Sequence, residues 1–279
     1  MNLINLHIHS KTSDGIYNEK EIIDKAKTSN LKVISITDHD IVGYSHELIK
    51  YAKSQGIKLV LGVELTAQFS KGQCHILGYN ISPEVINVFC SKIKKNRINK
   101  AKKMVEKANL LGYAIDYDQI LKLSSNGIIS RRDISKVLVQ KGYFNCENQA
   151  IETLFSVGAP CYIETIKNTI EDCIKVIKEC GGIAILAHPW TLNITLEELE
   201  SFLIKYDFDG LEVYNHNISE KAYKNLEDIA LRHNLCSTFG TDFHGCKGLD
   251  DFIVDKDIKC NCFFQKIGDS NGYYKKNIK

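Results

Sequence analysis

The stretch Leu3-Ile4-Asn5-Leu6-His7-Ile8-His9 is an apolar run in which two histidines alternate with aliphatic residues. Successive side chains of a β-strand point to opposite faces, so both imidazoles fall on one face. The pattern therefore predicts a first strand that ends in a pair of metal-binding side chains. A His-x-His pair alone is too short to establish a metal site, and further residues are needed.

Six other β-branched runs are typical of strands, and most are bounded by Gly, Asn or Asp: 32–37, 57–65, 73–79, 182–188, 209–214 and 235–241. Helical patterns lie between many of them, one beginning at Asn18 and others over 44–54 and 219–234. Alternation of strands and helices predicts an α/β protein with parallel strands and helices outside them.

Residues 82–168 interrupt this alternation because they are almost entirely helical in pattern, with a basic stretch over 92–107. We interpret this segment as an inserted helical subdomain for substrate recognition. The remaining parts, 1–81 and 169–279, then form one domain. Seven strands with an inserted helical unit and polar residues at the strand ends favour a barrel-like (β/α) architecture over a doubly wound sheet.

The charges of the 279-residue chain almost cancel, with 36 Lys and Arg against 34 Asp and Glu. No global field therefore attracts nucleic acid or an anionic membrane, and a polyanion must be held locally. No apolar run approaches the ~20 residues that span a bilayer, and no secretory leader pattern is present. These features predict a cytoplasmic protein without a membrane partner.

The ten cysteines contain no Cys-x-x-Cys pair, which argues against a disulfide scaffold and against a zinc ribbon. Most are expected to be buried thiols that pack as small apolar residues. Cys260 and Cys262 are close in sequence but lack a second pair, so a metal role for them is disfavoured.

Nine histidine and acidic residues lie at or after the carboxyl ends of the predicted strands: His7, His9, Asp14, His39, Glu64, His75, His188, Asp242 and His244. A barrel brings these strand ends together. If these nine side chains were buried at separate places, each would need a separate hydrogen-bond or ion-pair partner, because an unpaired buried polar atom is costly. A shared metal site explains them together.

The motifs around these residues resemble those of the PHP (polymerase and histidinol phosphatase) family over about residues 3–246: His7-x-His9-Ser10, Ser13-Asp14-Gly15, Thr37-Asp38-His39-Asp40, Gly62-x-Glu64, Ala187-His188-Pro189 and Gly240-x-Asp242-Phe243-His244-Gly245. The resemblance implies a distorted (β/α)7 barrel and metal-dependent phosphoesterase activity. The helical insertion resembles the subgroup that hydrolyses nucleotides, including nucleoside 3′,5′-bisphosphates, some members of which trim RNA from its 5′ end.

The resemblance also implies a ligand set for two to three divalent ions. His7, His9, Glu64 and Asp242 would hold one ion, Glu64 would bridge to a second ion on His75 and His188, and Asp14, His39 and His244 would hold the third. Imidazole and carboxylate ligands suit Mn²⁺, Fe²⁺ or Zn²⁺. Such a cluster would deprotonate a bridging water that attacks phosphorus, so Asp242 is expected to be essential for catalysis.

Residues close to these ligands have more open roles. Ser10 and Ser13 lack a base of their own and are expected to form hydrogen bonds rather than to act as nucleophiles. Asp38 and Asp40 either orient His39 or are solvated carboxylates. Trp190 either stacks on a base or packs a loop. His216 follows a predicted strand and is a candidate general acid for the leaving group.

Candidate phosphate-binding residues are Arg131 and Arg132 in the insertion. The resembled subgroup usually has Gly-Arg-Pro-His here, whereas this chain has Ser130-Arg131-Arg132-Asp133. An ionised Asp133 cannot donate to phosphate, so either Arg132 provides the second contact or the pocket prefers another ligand. A solvated basic helix end is the alternative.

The expected partner is a small phosphorylated nucleotide or a short single-stranded RNA or DNA end, without duplex-specific binding. Other functions remain open at this point. They are a histidinol-phosphate-type or other small-molecule phosphatase, an accessory PHP module that works with a partner polymerase, and an amidohydrolase. The last is disfavoured because its usual bridging lysine and fourth-strand histidine pattern are not found.

Overall fold

A computed structural model describes residues 3–122, 129–164, 168–215, 218–245 and 261–269. The predicted residues His216 and Cys260 lie outside these ranges. The chain divides into two compact units. The first, called the sheet unit, comprises Met1–Phe89 and Asn168–Lys279, and the second, called the helical unit, is Cys90–Lys167. A substrate-recognition role for the segment 82–168 stays a prediction.

The strands of the described residues all belong to the sheet unit: β1 (Leu3–Asn5), β2 (Leu31–Ile34), β3 (Lys58–Leu59), β4 (Gly62–Phe69), β5 (Gly72–Tyr79), β6 (Ile183–Leu186), β7 (Gly210–Tyr214) and β8 (Cys236–Phe239). They form two sheets, with the orders β1-β2-β3 and β4-β5-β6-β7-β8. Isolated parallel bridges join Ile8 to Phe243 and His39 to Glu64, at the ends of these sheets.

The prediction of parallel strands throughout is wrong for β4 and β5. These two strands form an antiparallel hairpin, and β5 also pairs antiparallel with β6. Only two residues separate β4 from β5, whereas a parallel connection needs a crossover of a dozen residues or more. The predicted strand 57–65 is divided into β3 and β4. A closed (β/α)7 barrel is not found among the described residues; the mixed α/β class is confirmed.

The helices of the described residues are α1 (Glu19–Thr28), α2 (His46–Ser54), α3 (Pro83–Leu110), α4 (Tyr117–Leu121), α5 (Arg131–Gln140), α6 (Glu147–Ala150), α7 (Ile170–Glu179), α8 (Leu196–Lys205), α9 (Glu220–Arg232) and α10 (Asn261–Asp269). The predicted start of α1 is confirmed, because Asn18 and Glu21 form a capping box. Its apolar residues Ile22, Ile23 and Ala26 are buried beside β2 and α2.

Apolar packing gives each unit its own core. In the sheet unit, one cluster includes Leu6, Leu77 and Ile185, which pack the strands together. In the helical unit, a separate cluster includes Met104 and Ile134. Burial of such aliphatic side chains stabilises a fold by about 1.5–3 kcal/mol each.

The cysteines agree in part with their predicted role. Cys74, Cys90, Cys161 and Cys173 are buried thiols, as expected. Cys262 instead forms a disulfide with Cys236, which joins α10 to β8. The spacing of the cysteines does not predict this pair because 26 residues separate them. None of the described helices has the length and apolar character to cross a membrane.

Candidate metal centre

The two histidines of the first strand point to the same place, as their alternation predicts. His7 and His9 are fully buried, and their Nε2 atoms are 3.1 Å apart. The neighbours Leu6 and Ile8 are equally buried but pack in two different apolar clusters. Two imidazole nitrogens this close are arranged to share a cation or a carboxylate.

Glu64 is that carboxylate, and it is fully buried at the centre of the site. Five imidazoles lie within 3.3 Å of its two oxygens. Oε2 faces His7, His9 and His39, and Oε1 faces His75 and His188. A carboxylate offers about four lone-pair sites, so it cannot accept a separate hydrogen bond from each of five rings. Cations between the carboxylate and the rings would resolve this excess.

Potential ligand atoms form three overlapping groups in which all atoms lie within 4.8 Å of one another. The groups are His7, His9, Glu64 and Asp242; His39, Glu64 and His75; and His9, Asp14, His39 and His244. The first group is the predicted set for one ion. His188 lies beside the second group, with Nε2 2.9 Å from Glu64 Oε1. The assignment of these residues as metal ligands stays a prediction.

His9 and His39 each face carboxylates of more than one ligand group. His9 faces Asp242 through Nε2 at 3.1 Å and Asp14 through Nδ1 at 3.6 Å. His39 faces Glu64 through Nδ1 at 3.0 Å and Asp14 through Nε2 at 3.8 Å. The three groups are therefore one connected cluster.

Atoms without hydrogen bonds support a metal centre. His9 Nδ1, His39 Nδ1 and Glu64 Oε2 are buried and have no hydrogen-bond partner among the described residues. Buried polar atoms in proteins are nearly always satisfied, so each exception requires an explanation. Imidazole nitrogens with carboxylate oxygens are a donor set for Mn²⁺, Fe²⁺ or Zn²⁺. The residues present therefore fit a cluster of such ions.

Electrostatics favour cations at the first group. Burial alone would lower the pKa of His7, but the charges of Glu64, Glu212 and Asp242 raise it well above the usual value. Burial would also lower the pKa of His9, but the nearby carboxylates of Asp242 and Glu64 raise it to about 9. The pKa of Glu64 falls well below its usual value despite burial, because His7 and the bonds from neighbouring rings favour the anion.

Two members of the third group, His39 and Asp14, are in the forms that bind metal. Burial lowers the pKa of His39 to about 4, against the attraction of Glu64. Burial would raise the pKa of Asp14, but the hydrogen bond with His244 and nearby imidazoles lower it to about 2. At neutral pH, His39 is neutral and Asp14 is ionised, as metal coordination requires.

Glu212 is an important residue that the sequence analysis missed. It lies in β7 and is fully buried, with Oε1 3.3 Å from His7 Nδ1. Its Oε2 accepts a hydrogen bond of 2.8 Å from the backbone N–H of His188. A carboxylate at Nδ1 favours a proton there and leaves Nε2 free to bind a cation. The sequence signal was a lone acidic residue inside the apolar run of β7.

Gly240 provides the space for this contact. A Cβ atom at this position would lie 2.2 Å from His7 Cβ and 2.7 Å from Glu212 Oε1. Both distances are far below van der Waals contact. Glycine is therefore required where β8 passes His7 and Glu212.

Asp38 organises the loop after β1. Its Oδ1 accepts hydrogen bonds from Ser10 N–H at 2.7 Å and Ser13 Oγ at 2.6 Å, and its Oδ2 accepts from Ser10 Oγ at 2.6 Å. The predicted hydrogen-bonding role of both serines is confirmed, and a solvated Asp38 is excluded by its burial. Asp40 accepts a bond of 2.9 Å from the N–H of Thr66.

An open cavity of about 310 Å³ adjoins the cluster and is lined by His39, Glu64, His75, His188, Trp190, Thr191, Asn215 and Asp242. The Trp190 ring lies edge-on to His188, with 6.2 Å between ring centroids. A cavity of this size lies at the small end of the range for ligand sites. Trp190 is thus a wall of the cavity, and the choice between base stacking and loop packing stays open.

In the helical unit, Arg131 and Arg132 are exposed in the first turn of α5. Asp133 forms a capping box with Ser130, accepting from its N–H at 2.9 Å and from its Oγ at 2.6 Å. Asp133 therefore has a local role in starting the helix. Arg132 Nε lies 3.6 Å from Glu147 Oε2. Phosphate binding by Arg131 and Arg132 stays a prediction.

Buried imidazoles and carboxylates at strand ends, beside a cavity, define the class of metal-dependent hydrolases. The chain belongs to the PHP-domain family, whose model matches residues 5–184. It is 28% identical over 247 residues to a 3′,5′-nucleoside bisphosphate phosphatase of Chromobacterium violaceum, covering 86% of this chain and 87% of that protein.

A 5′-3′ exoribonuclease of Haemophilus influenzae is also 28% identical, over 245 residues, which cover 86% of this chain and 89% of that protein. A solved structure described as an amidohydrolase from Chromobacterium violaceum, with bound sulfate and no metal, superposes with a TM-score of 0.71. Its identity to this chain is 26%, with 96% of each chain covered. The predicted family and the predicted class of phosphoric ester hydrolase are confirmed.

Proposed function

We propose that this phosphoesterase acts on nucleotides and cleaves their phosphate esters with two to three divalent ions held by the nine predicted ligands. The substrates are nucleoside 3′,5′-bisphosphates, AMP-like nucleotides or short oligonucleotides with a 5′ phosphate. The observation that carries this proposal is the buried Glu64 with five imidazoles around its two oxygens. The names of the two curated relatives support the nucleotide class.

Divalent ions at such a site supply charge neutralisation on phosphoryl oxygens and an activated water. The residues of this chain prepare the site for them. Glu64 and Asp242 remain ionised, because neighbouring imidazoles lower the pKa of both carboxyls. Glu212 holds the Nδ1 side of His7, so that Nε2 faces Glu64 and Asp242.

The serines near the cluster are unsuited to attack phosphorus. Ser10 is fully buried and donates its hydroxyl hydrogen to Asp38. Ser13 also donates its hydroxyl hydrogen to Asp38. A hydroxyl held in this way supports its loop and leaves hydrolysis to water. Neither serine is therefore expected to form a covalent intermediate with the substrate.

The cavity suits a tetrahedral anion next to the cluster. His75, His188 and Asp242 line this cavity together with Trp190 and Thr191. The related structure from Chromobacterium violaceum contains sulfate, which has the shape and negative charge of a phosphate group.

A substrate panel tests the proposal. The protein is chelated, loaded separately with Mn²⁺, Zn²⁺ or Fe²⁺, and assayed on a nucleoside 3′,5′-bisphosphate, AMP, a 5′-phosphorylated oligonucleotide, histidinol phosphate and p-nitrophenyl phosphate. The expected result is the highest kcat/KM on a nucleotide substrate. Glu64→Gln serves as the inactive control. Equal or higher kcat/KM on histidinol phosphate, or normal activity of Glu64→Gln, would contradict the proposal.

A further inference from the structure

The small net charge of the chain conceals two units of opposite charge. The helical unit, residues 90–167, contains fourteen Lys and Arg but only seven Asp and Glu, a net charge of +7. The rest of the chain contains twenty-two basic and twenty-seven acidic residues, a net charge of −5. Whole-chain charge therefore says little about the partners of the helical unit, whose own field attracts anions.

Much of this positive charge lies on one side of α3. Lys92, Lys95, Lys102 and Lys103 are exposed, and we call these four residues the basic face. Their spacing places them on the same side of the helix, and Lys92 and Lys103 are about 16 Å apart along its axis. The opposite side, which includes Met104 and Val105, is buried in the core of the helical unit.

Few acidic groups neutralise the basic face. Glu106 is the single acidic residue between positions 90 and 110. In the part of the chain that the structure describes, Lys92, Lys95 and Lys103 form no ion pair, and the Lys102 ammonium lies over the Tyr117 ring at 5.5 Å. Like charges three positions apart, such as Lys92 and Lys95, destabilise a helix. An anionic partner would remove this repulsion.

We propose that the basic face binds the phosphodiester backbone of a single-stranded nucleic acid of the substrate class proposed above. This inference rests on the proposed function. Lysines act as point charges toward phosphates and do not distinguish bases, so binding is independent of sequence and weakens with salt. A membrane surface fits less well, because a helix at a membrane needs a free apolar side and that side of α3 is buried.

The test measures binding without hydrolysis. Fluorescence anisotropy follows a 20-nucleotide single-stranded RNA with a 5′ phosphate, titrated with the full chain in EDTA between 50 and 200 mM salt. The variant is Lys92→Ala/Lys95→Ala/Lys103→Ala. Its matched control is Lys50→Ala/Lys53→Ala/Lys221→Ala, which removes three exposed lysines from the sheet unit, two of them also three positions apart.

The basic-face variant should bind this RNA ~10–100-fold more weakly, and the slope of log affinity against log salt should fall by about 2, as expected for three lost phosphate contacts at ~0.7 each. The control variant should bind like wild type. Unchanged binding by the basic-face variant, or an equal loss in the control, would overturn the proposal. So would a variant that loses binding to phosphatidylserine vesicles but keeps binding to RNA.

Hydrolysis separates this proposal from the function on which it rests. A nucleoside 3′,5′-bisphosphate has no phosphodiester chain for the basic face to bind, so the basic-face variant should hydrolyse it with wild-type kcat/KM. If wild type hydrolyses no nucleotide, the proposed function fails, and the anisotropy comparison still decides whether the basic face binds RNA. Circular dichroism of each variant verifies the fold.

Discussion

The metal centre and the basic face differ in how far their charged side chains are exposed to water. At the metal centre, Glu64 is fully buried and five imidazoles surround it. On α3, Lys92 and Lys95 are exposed. Buried charges interact strongly because water does not screen them, whereas exposed charges are weakened by salt.

In the proposed function, this difference separates catalysis from recognition. The charged side chains at the metal centre contact one another directly, so a single substitution there should have a large effect. Each exposed lysine adds a small and similar contribution, so several must be removed together.

Asp242→Ala should lower kcat at least ~10²-fold at saturating Mn²⁺, because the variant loses a carboxylate of the first ligand group. Steady-state kinetics on the best nucleotide substrate measure this loss. Asp228→Ala, at an exposed position of α9, is the matched control and should keep normal kcat. A near-normal rate for Asp242→Ala with full metal occupancy would exclude the assigned role.

Glu212→Gln should weaken the affinity for Mn²⁺ about 10–100-fold, because loss of a carboxylate that orients a metal-binding histidine typically has this effect. Calorimetric titration of the chelated protein with Mn²⁺ gives the affinity independently of activity. Glu47→Gln, on the exposed surface of α2, should bind Mn²⁺ like wild type. If Glu212→Gln binds Mn²⁺ within twofold of wild type, Glu212 does not position His7.

Arg131→Ala should lower kcat/KM on a nucleoside 3′,5′-bisphosphate ~10–100-fold, the scale of one charge-assisted contact of roughly 1.5–3 kcal/mol. The effect on p-nitrophenyl phosphate should be much smaller, because that ester has no second phosphate. Arg132→Ala shows whether Arg132 provides the second contact, and Lys136→Ala on the same helix is the control. Equal losses on the two substrates would mean that Arg131 does not recognise the second phosphate.

The pH dependence of stability should be the smallest effect. Hydrogen bonds and charges raise the pKa of His9 to about 9, above the unfolded value near 6.5. This stabilisation is complete below pH 6.5 and is lost as pH rises toward 9. The Tm of the chelated protein should therefore fall by a few degrees over this interval.

The Mn²⁺-loaded protein should respond in the opposite direction, because coordination requires neutral imidazoles and strengthens as protons leave. The increase in Tm caused by Mn²⁺ should grow between pH 6.5 and 9. Thermal scans of the chelated and loaded forms measure both trends. A chelated protein whose Tm rises over this interval would contradict the pKa shifts of His7 and His9.

Local patterns in the sequence predicted much of the site. Alternation placed His7 and His9 on one face, and their Nε2 atoms are 3.1 Å apart. The capping pattern at Asn18 predicted the start of α1. These features depend on neighbours within a few positions, and the sequence shows such neighbours directly.

Contacts between distant segments were harder to predict. The pairing of β4 with β5 depends on a two-residue connection, which a single predicted strand 57–65 obscures. Glu212 approaches His7 across 205 positions, and His9 reaches both Asp242 and Asp14. No local pattern specifies these contacts, because they follow from how the strand ends pack together.

The central claim is that one connected cluster of histidines and carboxylates holds several metal ions. Elemental analysis tests it most directly, after reconstitution of the chelated protein with Mn²⁺ and removal of unbound metal by gel filtration. The account predicts two to three ions per chain. Less than one bound ion per chain after reconstitution would contradict it.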